Sequence, residues 1–427
     1  MRKLYTLLLY LLAPLVLVRL AWRGLASPGY WQRWPERFGA ITPPLGKHVI
    51  WIHAVSVGEV MAAEPLVRTL LDRYPEYSIL VTTVTPTGSE RVQAMFGATV
   101  AHVYAPYDLP GAVARFIGRV RPRLAIIMET EIWPNLYHAC RQNLIPLLLV
   151  NARLSDRSVS GYRKVGGLIA EALSAVTEIA AQSEQDAQRF ESLGADAGCI
   201  TVTGNMKFEQ KTPSSLLESA EVLRRSWGVG RPVWIAASTH EGEEELVLDT
   251  YRQIRRQFDD CLLVLVPRHP ERFEPVAGLC RSRGYNTVLR SERRPCPAET
   301  HVFVGDSMGE LPLFYAAADV AFVGGSLVPH GGHNLLEPAA LGIPVVTGPH
   351  LFNFKEISRL LLDAGACEKV DNIAALEQTV ARWLGDANDR HRVGEQGRMV
   401  IEKNRGALKA VLAIVDSYLE FPGPEDA

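Results

Sequence analysis

From His48 onward, short apolar runs alternate with amphipathic segments, and no other feature of the chain restricts its fold so strongly. HVIWIHAVS reads as a strand, and VMAAEPLVRTLLDRY as a helix with Val60, Ala63, Leu66, Val67 and Leu70 on one face. YSILVTTVT and SERVQAMFG repeat the strand and the helix, and GAVARFIGRVRP leads into the strand RLAIIMET. LIPLLLVNA and the segment around residues 176–181 add two more strands. Strands that are apolar on both faces and separated by helices form a parallel sheet covered on both sides. The strand-like ITVTGNMKF then runs into a polar stretch at residues 209–215, read as an interdomain linker. Alternation restarts beyond it with RPVWIAAST, EEELVLDTYRQIRRQF, DCLLVLVPRHP, HVFVGD, LPLFYAAAD, VAFVGGS, NLLEPAALG and IPVVTGP. A last helix, near residues 397–419, is expected to pack back across the first half. A length of 427 residues suits two such domains. The expected fold is therefore α/β, with two Rossmann-like parallel-sheet domains facing each other and ligands held at the carboxyl ends of their strands.

The first 24 residues are of another kind. MRK is followed by fifteen uncharged residues, LYTLLLYLLAPLVLV, then Arg19 and LAW. At about 1.5 Å per residue, the stretch 4–22 just crosses a hydrocarbon core of roughly 30 Å. Pro14 bends or weakens such a helix, and Arg19 can snorkel from one end. A cleaved signal peptide is disfavoured by the lack of a small-x-small site, whereas a helix lying on a surface stays open. Arg2 and Lys3 stand on one side of the stretch, and Arg19, Arg23, Arg33 and Arg37 on the other. Positive-inside reasoning places the folded body in the cytoplasm. Six scattered cysteines, with no pair at metal-binding spacing, fit reduced thiols in that compartment. The net charge of -2 gives a nucleic-acid partner no bulk electrostatic support. The expected organisation is a membrane element at 1–24, an acceptor domain at 25–208, a donor domain at 209–402 and a returning helix within 403–427.

Candidate chemistry gathers where strands end. In HAVSVGEV, Ser56, Gly58 and Glu59 lie between a strand and a helix. Gly58 is expected to use glycine's conformational freedom, letting a ligand approach the backbone. Glu59, near the positive end of the helix, suits removal of a proton from an attacking hydroxyl, although a helix cap needs the same residues. METEIWPN places Glu129 and Glu131 at a strand end, where they share acid–base work or hold an arginine such as Arg153 of NARLSDRS. In the second half, Arg268 offers a bidentate fork for a phosphate. Gly324, Gly325, Gly331 and Gly332 leave backbone amides open to an anion. Asn334 and Glu337, three apart, form either a cap pair or a contact to ligand hydroxyls, a ribose diol above all. No GxxxxGK[ST] loop is present, and no strand–GxGxxG–helix opens the first domain. His330 and His333 lack a partner at a familiar metal spacing, so no metal is expected.

Together these motifs resemble the 3-deoxy-D-manno-octulosonic acid (Kdo) transferases of lipopolysaccharide synthesis, inverting glycosyltransferases of the GT-B arrangement. The likeness runs through HAVSVGE, TTVTPTG, YAPYD, METEIWPN, NARLSDRS, GNMKF, ASTHEGEE, VPRHPER and GDSMGELPLFYAAADVAFVGGS to GGHNLLEPAALGIPVVTGP. It implies transfer of Kdo from CMP-Kdo to a lipid A precursor at the cytoplasmic face of the inner membrane, without a cofactor or metal. It also implies that Glu59 is the catalytic glutamate and Arg268 the donor-site arginine. Asn334, Glu337 and Lys207 match further family positions, Lys207 with either the Kdo carboxylate or the phosphate as partner. The number of Kdo residues added and the oligomeric state are not encoded in any of these motifs.

Overall fold

The computed structural model describes residues 1–26, 28–42, 46, 48–209 and 213–420. The chain divides into two compact units, Met1–Glu209 with Arg405–Ala427, and Gln210–Asn404. In the first, β1 (Val49–His53), β2 (Ser78–Thr83), β3 (Ala101–Tyr104), β4 (Leu124–Met128), β5 (Leu147–Ala152), β6 (Glu178–Ala181) and β7 (Ile200–Val202) form one sheet. Its order is β3-β2-β1-β4-β5-β6-β7, every pair parallel. The second holds β8 (Val233–Thr239), β9 (Leu262–Pro267), β10 (Thr287–Leu289), β11 (Val302–Val304), β12 (Val320–Val323), β13 (Val345–Thr347) and β14 (Cys367–Lys369). They run in the order β10-β11-β9-β8-β12-β13-β14, again all parallel. In each sheet the order reverses beside the first strand, between β1 and β4 and between β8 and β12. At such a switch point the loops leaving neighbouring strands turn to opposite faces and open a crevice for ligands.

The central strands are apolar throughout because both their faces are covered. Along β1, Val49 and Trp51 pack with Phe116 and Tyr137 on one side of the sheet, and Ile50 and Ile52 with Leu66, Leu70 and Val415 on the other. The sequence reading missed β3, β10 and β14. All three are edge strands of three or four residues and only partly buried, so they carry no continuous apolar run.

The expected helix at 397–419 is in fact two, Ala387–Lys403 and Ala407–Leu419. The break falls at Gly406, whose φ of 111° belongs to the left-handed region that favours glycine. The amides of Gly406 and Leu408 donate to Glu209 Oε1, at 2.7 and 3.2 Å. The final helix lies on the first unit, where Val411 and Val415 enter the core and Asp416 accepts from Tyr74 Oη at 2.5 Å. Of the stretch read as a linker, residues 210–212 fall outside the described residues, and Ser214 and Ser215 already open the helix Ser214–Trp227.

Helix α1 (Arg2–Ala26) contains a stretch, Arg2–Leu25, long and apolar enough to cross a membrane. One stripe of it is covered, through Arg2, Tyr5, Thr6, Leu9, Ala13, Leu17 and Leu20. Leu4, Leu7, Leu8, Leu11, Leu15, Val18 and Trp22 are exposed.

Candidate active site

The switch point of the first unit is built by the turns after β1 and β4. Past His53 the chain leaves the sheet in an extended conformation, and Ser56 caps α2 (Val57–Arg73) by accepting the Glu59 N–H at 3.3 Å. The Glu59 side chain turns back. Its Oε2 accepts the Val55 N–H at 2.8 Å and its Oε1 the Ser56 hydroxyl at 2.9 Å. Such reciprocal bonding satisfies amides that the first helical turn leaves without partners. Glu59 as a whole is 7% exposed. Burial, reinforced by the nearby Glu131, pushes its pKa up to about 8 against the pull of the Val55 and Ser56 bonds. Gly58 departs from expectation. It sits inside the first helical turn with no left-handed φ, and an added Cβ would meet only Ser56 Oγ, at 3.8 Å. What glycine provides there is open space beside Glu59, not a special backbone shape.

Two residues at neighbouring strand ends do take the left-handed conformation, Glu129 after β4 and Asn151 in β5, both with φ 55°. Non-glycine residues held there cost about 1–3 kcal/mol each and cluster at functional sites. Asn151 stands where the β5–β6 register shifts. Its Oδ1 accepts the Met206 N–H at 3.0 Å, which fixes the GNMKF segment beside the sheet. Lys207 is thereby delivered to Glu129, with Nζ 2.9 Å from Oε1, while Arg153 Nε donates to Oε2 at 2.8 Å. Burial alone would raise the Glu129 pKa, but Lys207 and Arg153 outweigh it and hold the group below the ordinary carboxylate range. Glu131 accepts from Trp133 Nε1 at 2.8 Å and is pushed up by burial and by Glu129. Of three carboxylates in one electrostatic neighbourhood, one is thus held charged by cations and two are driven toward the protonated form. Divergent pKa values of this kind assign acid and base roles in many enzymes.

The second unit repeats the plan. Ser238, with φ 57°, stands where the β8–β9 register shifts, and the Arg268 N–H donates to Thr239 O at 3.0 Å. The acidic start of the next helix looks in sequence like a solvated first turn, yet Glu243 is fully buried. Its carboxylate accepts the N–H groups of Gly325, Ser326 and Leu327 at 2.7, 3.1 and 2.9 Å, locking the turn after β12 to the end of β8. Gly324 must be glycine, because an added Cβ would lie 2.7 Å from Glu243 Oε2 and 2.9 Å from Ser238 O. Above this turn His240 Nε2 and His333 Nε2 share a hydrogen bond of 2.8 Å, and His330 stacks on His240 at 4.0 Å. Burial depresses His240 to about 4 and His333 to about 3, and the charge of Arg268 acts the same way on both. His240 and His333 are therefore neutral at pH 7, which leaves the ring lone pair their shared bond needs, and Arg268 brings the positive charge. Its guanidinium is exposed and makes no hydrogen bond or ion pair among the described residues.

Gly331 and Gly332 both have left-handed φ, 95° and 75°. Just before the short helix Leu336–Ala340, Asn334 Oδ1 accepts the Leu336 N–H at 3.1 Å and Asn334 Nδ2 donates to Glu337 Oε1 at 3.0 Å. The structure thus unites Arg268 with the histidine cluster and the Gly324–Gly325 turn. It places Lys207, expected on the donor side, within the first unit on Glu129. Among the described residues no group of three or more His, Cys, Asp or Glu side chains is arranged to hold a metal ion. Sequence reasoning missed His240 and Glu243, and gave Asn151 of NARLSDRS no role of its own. The signal for Glu243 was its place directly after Gly242, in the turn that follows a buried strand.

The chain thus carries charged groups at the strand ends of two parallel doubly wound units, and residues 237–400 of it match the family described as Glycosyl transferases group 1. Residues 32–210 match the family described as 3-Deoxy-D-manno-octulosonic-acid transferase (kdotransferase). The chain is 46% identical to the 3-deoxy-D-manno-octulosonic acid transferase of Haemophilus influenzae, over 97% of this chain and 98% of that one. To the enzyme of the same name from Bordetella pertussis it is 36% identical, over 98% and 99%. The chain belongs to the 3-deoxy-D-manno-octulosonic acid transferase family. A UDP-GlcNAc 2-epimerase from Neisseria meningitidis shares the fold, with a TM-score of 0.59 over 87% of this chain and all of the other, at 13% identity.

Proposed function

We propose that this Kdo transferase takes CMP-Kdo as donor and a lipid A precursor as acceptor, with Glu59 as general base in a single inverting displacement. The observation that carries the assignment is the Glu59 carboxyl itself, buried at the switch point of the first sheet with its pKa raised to about 8. An ordinary carboxylate is too weak a base to take a hydroxyl proton effectively, and raising its pKa toward the working pH strengthens it. At pH 7 a group of pKa 8 is ionised in about one molecule in ten, the fraction competent to start the reaction. As the acceptor oxygen bonds to the anomeric carbon, its proton passes to Glu59. The bond from that carbon to the phosphate oxygen breaks, and its electron pair leaves with CMP.

Arg268 and the amides around Gly331 and Gly332 are suited to the charge that grows on the leaving phosphate. Neutral His240 and His333 leave the arginine as the cation beside them. Glu337, presented by Asn334, accepts bonds from ribose hydroxyls. CMP carries one phosphate, so a single arginine and glycine amides are a fitting counterpart. Lys207 has two available roles, holding Glu129 ionised or turning to the Kdo carboxylate. The loop carrying Glu131 and Trp133, with Ser56 and the space beside Gly58, forms the acceptor side. Helix α1 anchors the enzyme at the cytoplasmic face of the inner membrane, where the lipid acceptor resides, and so raises their effective concentration.

Incubation with labelled CMP-Kdo and a lipid A precursor tests the reading directly. Label should appear in the lipid with inverted anomeric configuration. Transfer of a different sugar, or release of CMP without a lipid product, would overturn it.

A further inference from the structure

The first two turns of α1 make polar bonds for which a simple hydrophobic tether has no use. Tyr5 Oη donates to Asp108 Oδ2 at 3.0 Å, and Thr6 Oγ1 to Asn135 Oδ1 at 3.0 Å. Arg2 Nη1 donates to the same Asn135 oxygen at 3.2 Å, and Arg2 Nε lies 3.7 Å from Glu171 Oε1.

The residues they reach hold another element in place. The helix Pro134–Gln142 begins at Trp133, which supplies no side-chain cap. Asp108, from the loop after β3, replaces that cap by accepting the Asn135 N–H at 3.1 Å and the Leu136 N–H at 2.8 Å. Asn135 Nδ2 answers with a bond to Asp108 O at 2.7 Å. One residue further into the helix, the buried Tyr137 hydroxyl donates to the backbone carbonyl of Glu131 at 2.7 Å. Hydrogen bonds therefore tie Tyr5 and Thr6 to Asp108 and Asn135 at the start of this helix, and the helix backbone links that pair to Tyr137, which holds the loop of Glu131 and Trp133. On the other side of the same two turns, Leu4, Leu7 and Leu8 are exposed.

We infer that the start of α1 is a positioning element for the Glu131–Trp133 loop: Tyr5 and Thr6 fix the Asp108–Asn135 pair, and so set the loop for acceptor binding in addition to any anchoring by the helix. The inference rests on the assignment of that loop to the acceptor side. A helix that only tethers is indifferent to the loss of two hydroxyls. A helix that positions the loop is not, even when no bilayer is present.

The test uses the full-length enzyme in detergent, with the lipid acceptor dispersed in excess micelles so that enzyme and acceptor do not share one by default. Tyr5→Phe combined with Thr6→Val removes both hydroxyls and keeps the segment apolar. Thr6→Ser alone restores a hydroxyl, and Glu131→Ala probes the loop directly. The double variant should raise the acceptor KM roughly three- to thirty-fold, the range spanned by loss of one or two hydrogen bonds, with donor KM and Tm near those of the parent. Thr6→Ser should behave as the parent. An acceptor KM within twofold of the parent for the double variant, while Glu131→Ala raises it, refutes the positioning role and leaves the acceptor-side reading intact. If neither changes it, the acceptor-side reading fails and the inference fails with it. A rise in the double variant but not in Glu131→Ala also refutes the route through the loop.

Discussion

Ser56 and Glu59 are bonded to each other twice. The Ser56 hydroxyl donates to Glu59 Oε1 at 2.9 Å and accepts the Glu59 N–H at 3.3 Å. The helix cap and the proposed base are thus one structure, and each half of the pair affects the other. A bond from Ser56 favours the ionised carboxyl, while burial and Glu131 oppose ionisation.

The first prediction concerns activity and pH. In the free enzyme kcat/KM should rise tenfold per unit of pH up to about 8 and then level, because the base must be ionised. Glu59→Gln should fold, bind donor and lose kcat by about 10²–10⁴, with the pH limb abolished. Stability should show the opposite slope. The folded pKa of about 8 lies above the ordinary value of 4.5, so the folded state holds an extra proton between them. The contribution of Glu59 is therefore fully present below about 4.5 and is lost as pH rises through about 8. Denaturant titrations of parent and Glu59→Gln across that window check the sign. Near-parental kcat in a folded glutamine variant, with chemistry rate-limiting, leaves Glu59 as a cap alone.

Lys207 gives a second test. Lys207→Met leaves the buried Glu129 with Arg153 as its remaining ion-pair partner. The Glu129 pKa should rise, and about 1–3 kcal/mol of stability at pH 7 should go with it. A carboxyl held below its unfolded pKa stabilises above that pKa and loses the contribution as pH falls through its folded value. The difference between parent and variant should therefore shrink in acid. Donor KM separates the two roles of the lysine, because a residue that only holds Glu129 leaves it unchanged.

Arg268 should behave differently. Its guanidinium is exposed and bonded to nothing among the described residues, so Arg268→Ala should leave Tm unchanged. Donor affinity should fall by about 1.5–3 kcal/mol, the worth of a charge-assisted contact. Lysine should recover only part, since a point charge lacks the planar fork. Calorimetric titration with CMP measures all three proteins, and unchanged affinity in the alanine variant moves the phosphate site elsewhere.

Gly324→Ala tests the lock between the two turns of the second unit. The added methyl meets a buried carboxylate oxygen and two backbone carbonyls, the nearest at 2.7 Å, and backbone cannot move aside as a flexible side chain can. The cost should be about 1–3 kcal/mol in Tm-derived stability, with weaker CMP binding as the turn is displaced. Gly58→Ala is the contrasting control. Nothing but Ser56 Oγ stands near its Cβ, at 3.8 Å, so folding should be unaffected and any loss should appear in acceptor KM.

The amino-acid sequence alone determined the two parallel sheets and the strand ends that carry Glu59, Glu129, Glu131 and Arg268. Burial of both faces of a strand, or one face of a helix, is a local requirement, so it leaves a local period that can be read without coordinates. The capping pair of Ser56 and Glu59 was legible for the same reason, its partners standing three residues apart. Only the tertiary structure decided that Lys207 meets Glu129, that Glu243 locks the turn of Gly325 and that Tyr5 and Thr6 hold Asp108 and Asn135. Those contacts join residues far apart in the chain. They depend on which strands are neighbours, how each register shifts at its end and where a left-handed residue turns the backbone, and no repeating local pattern records any of these.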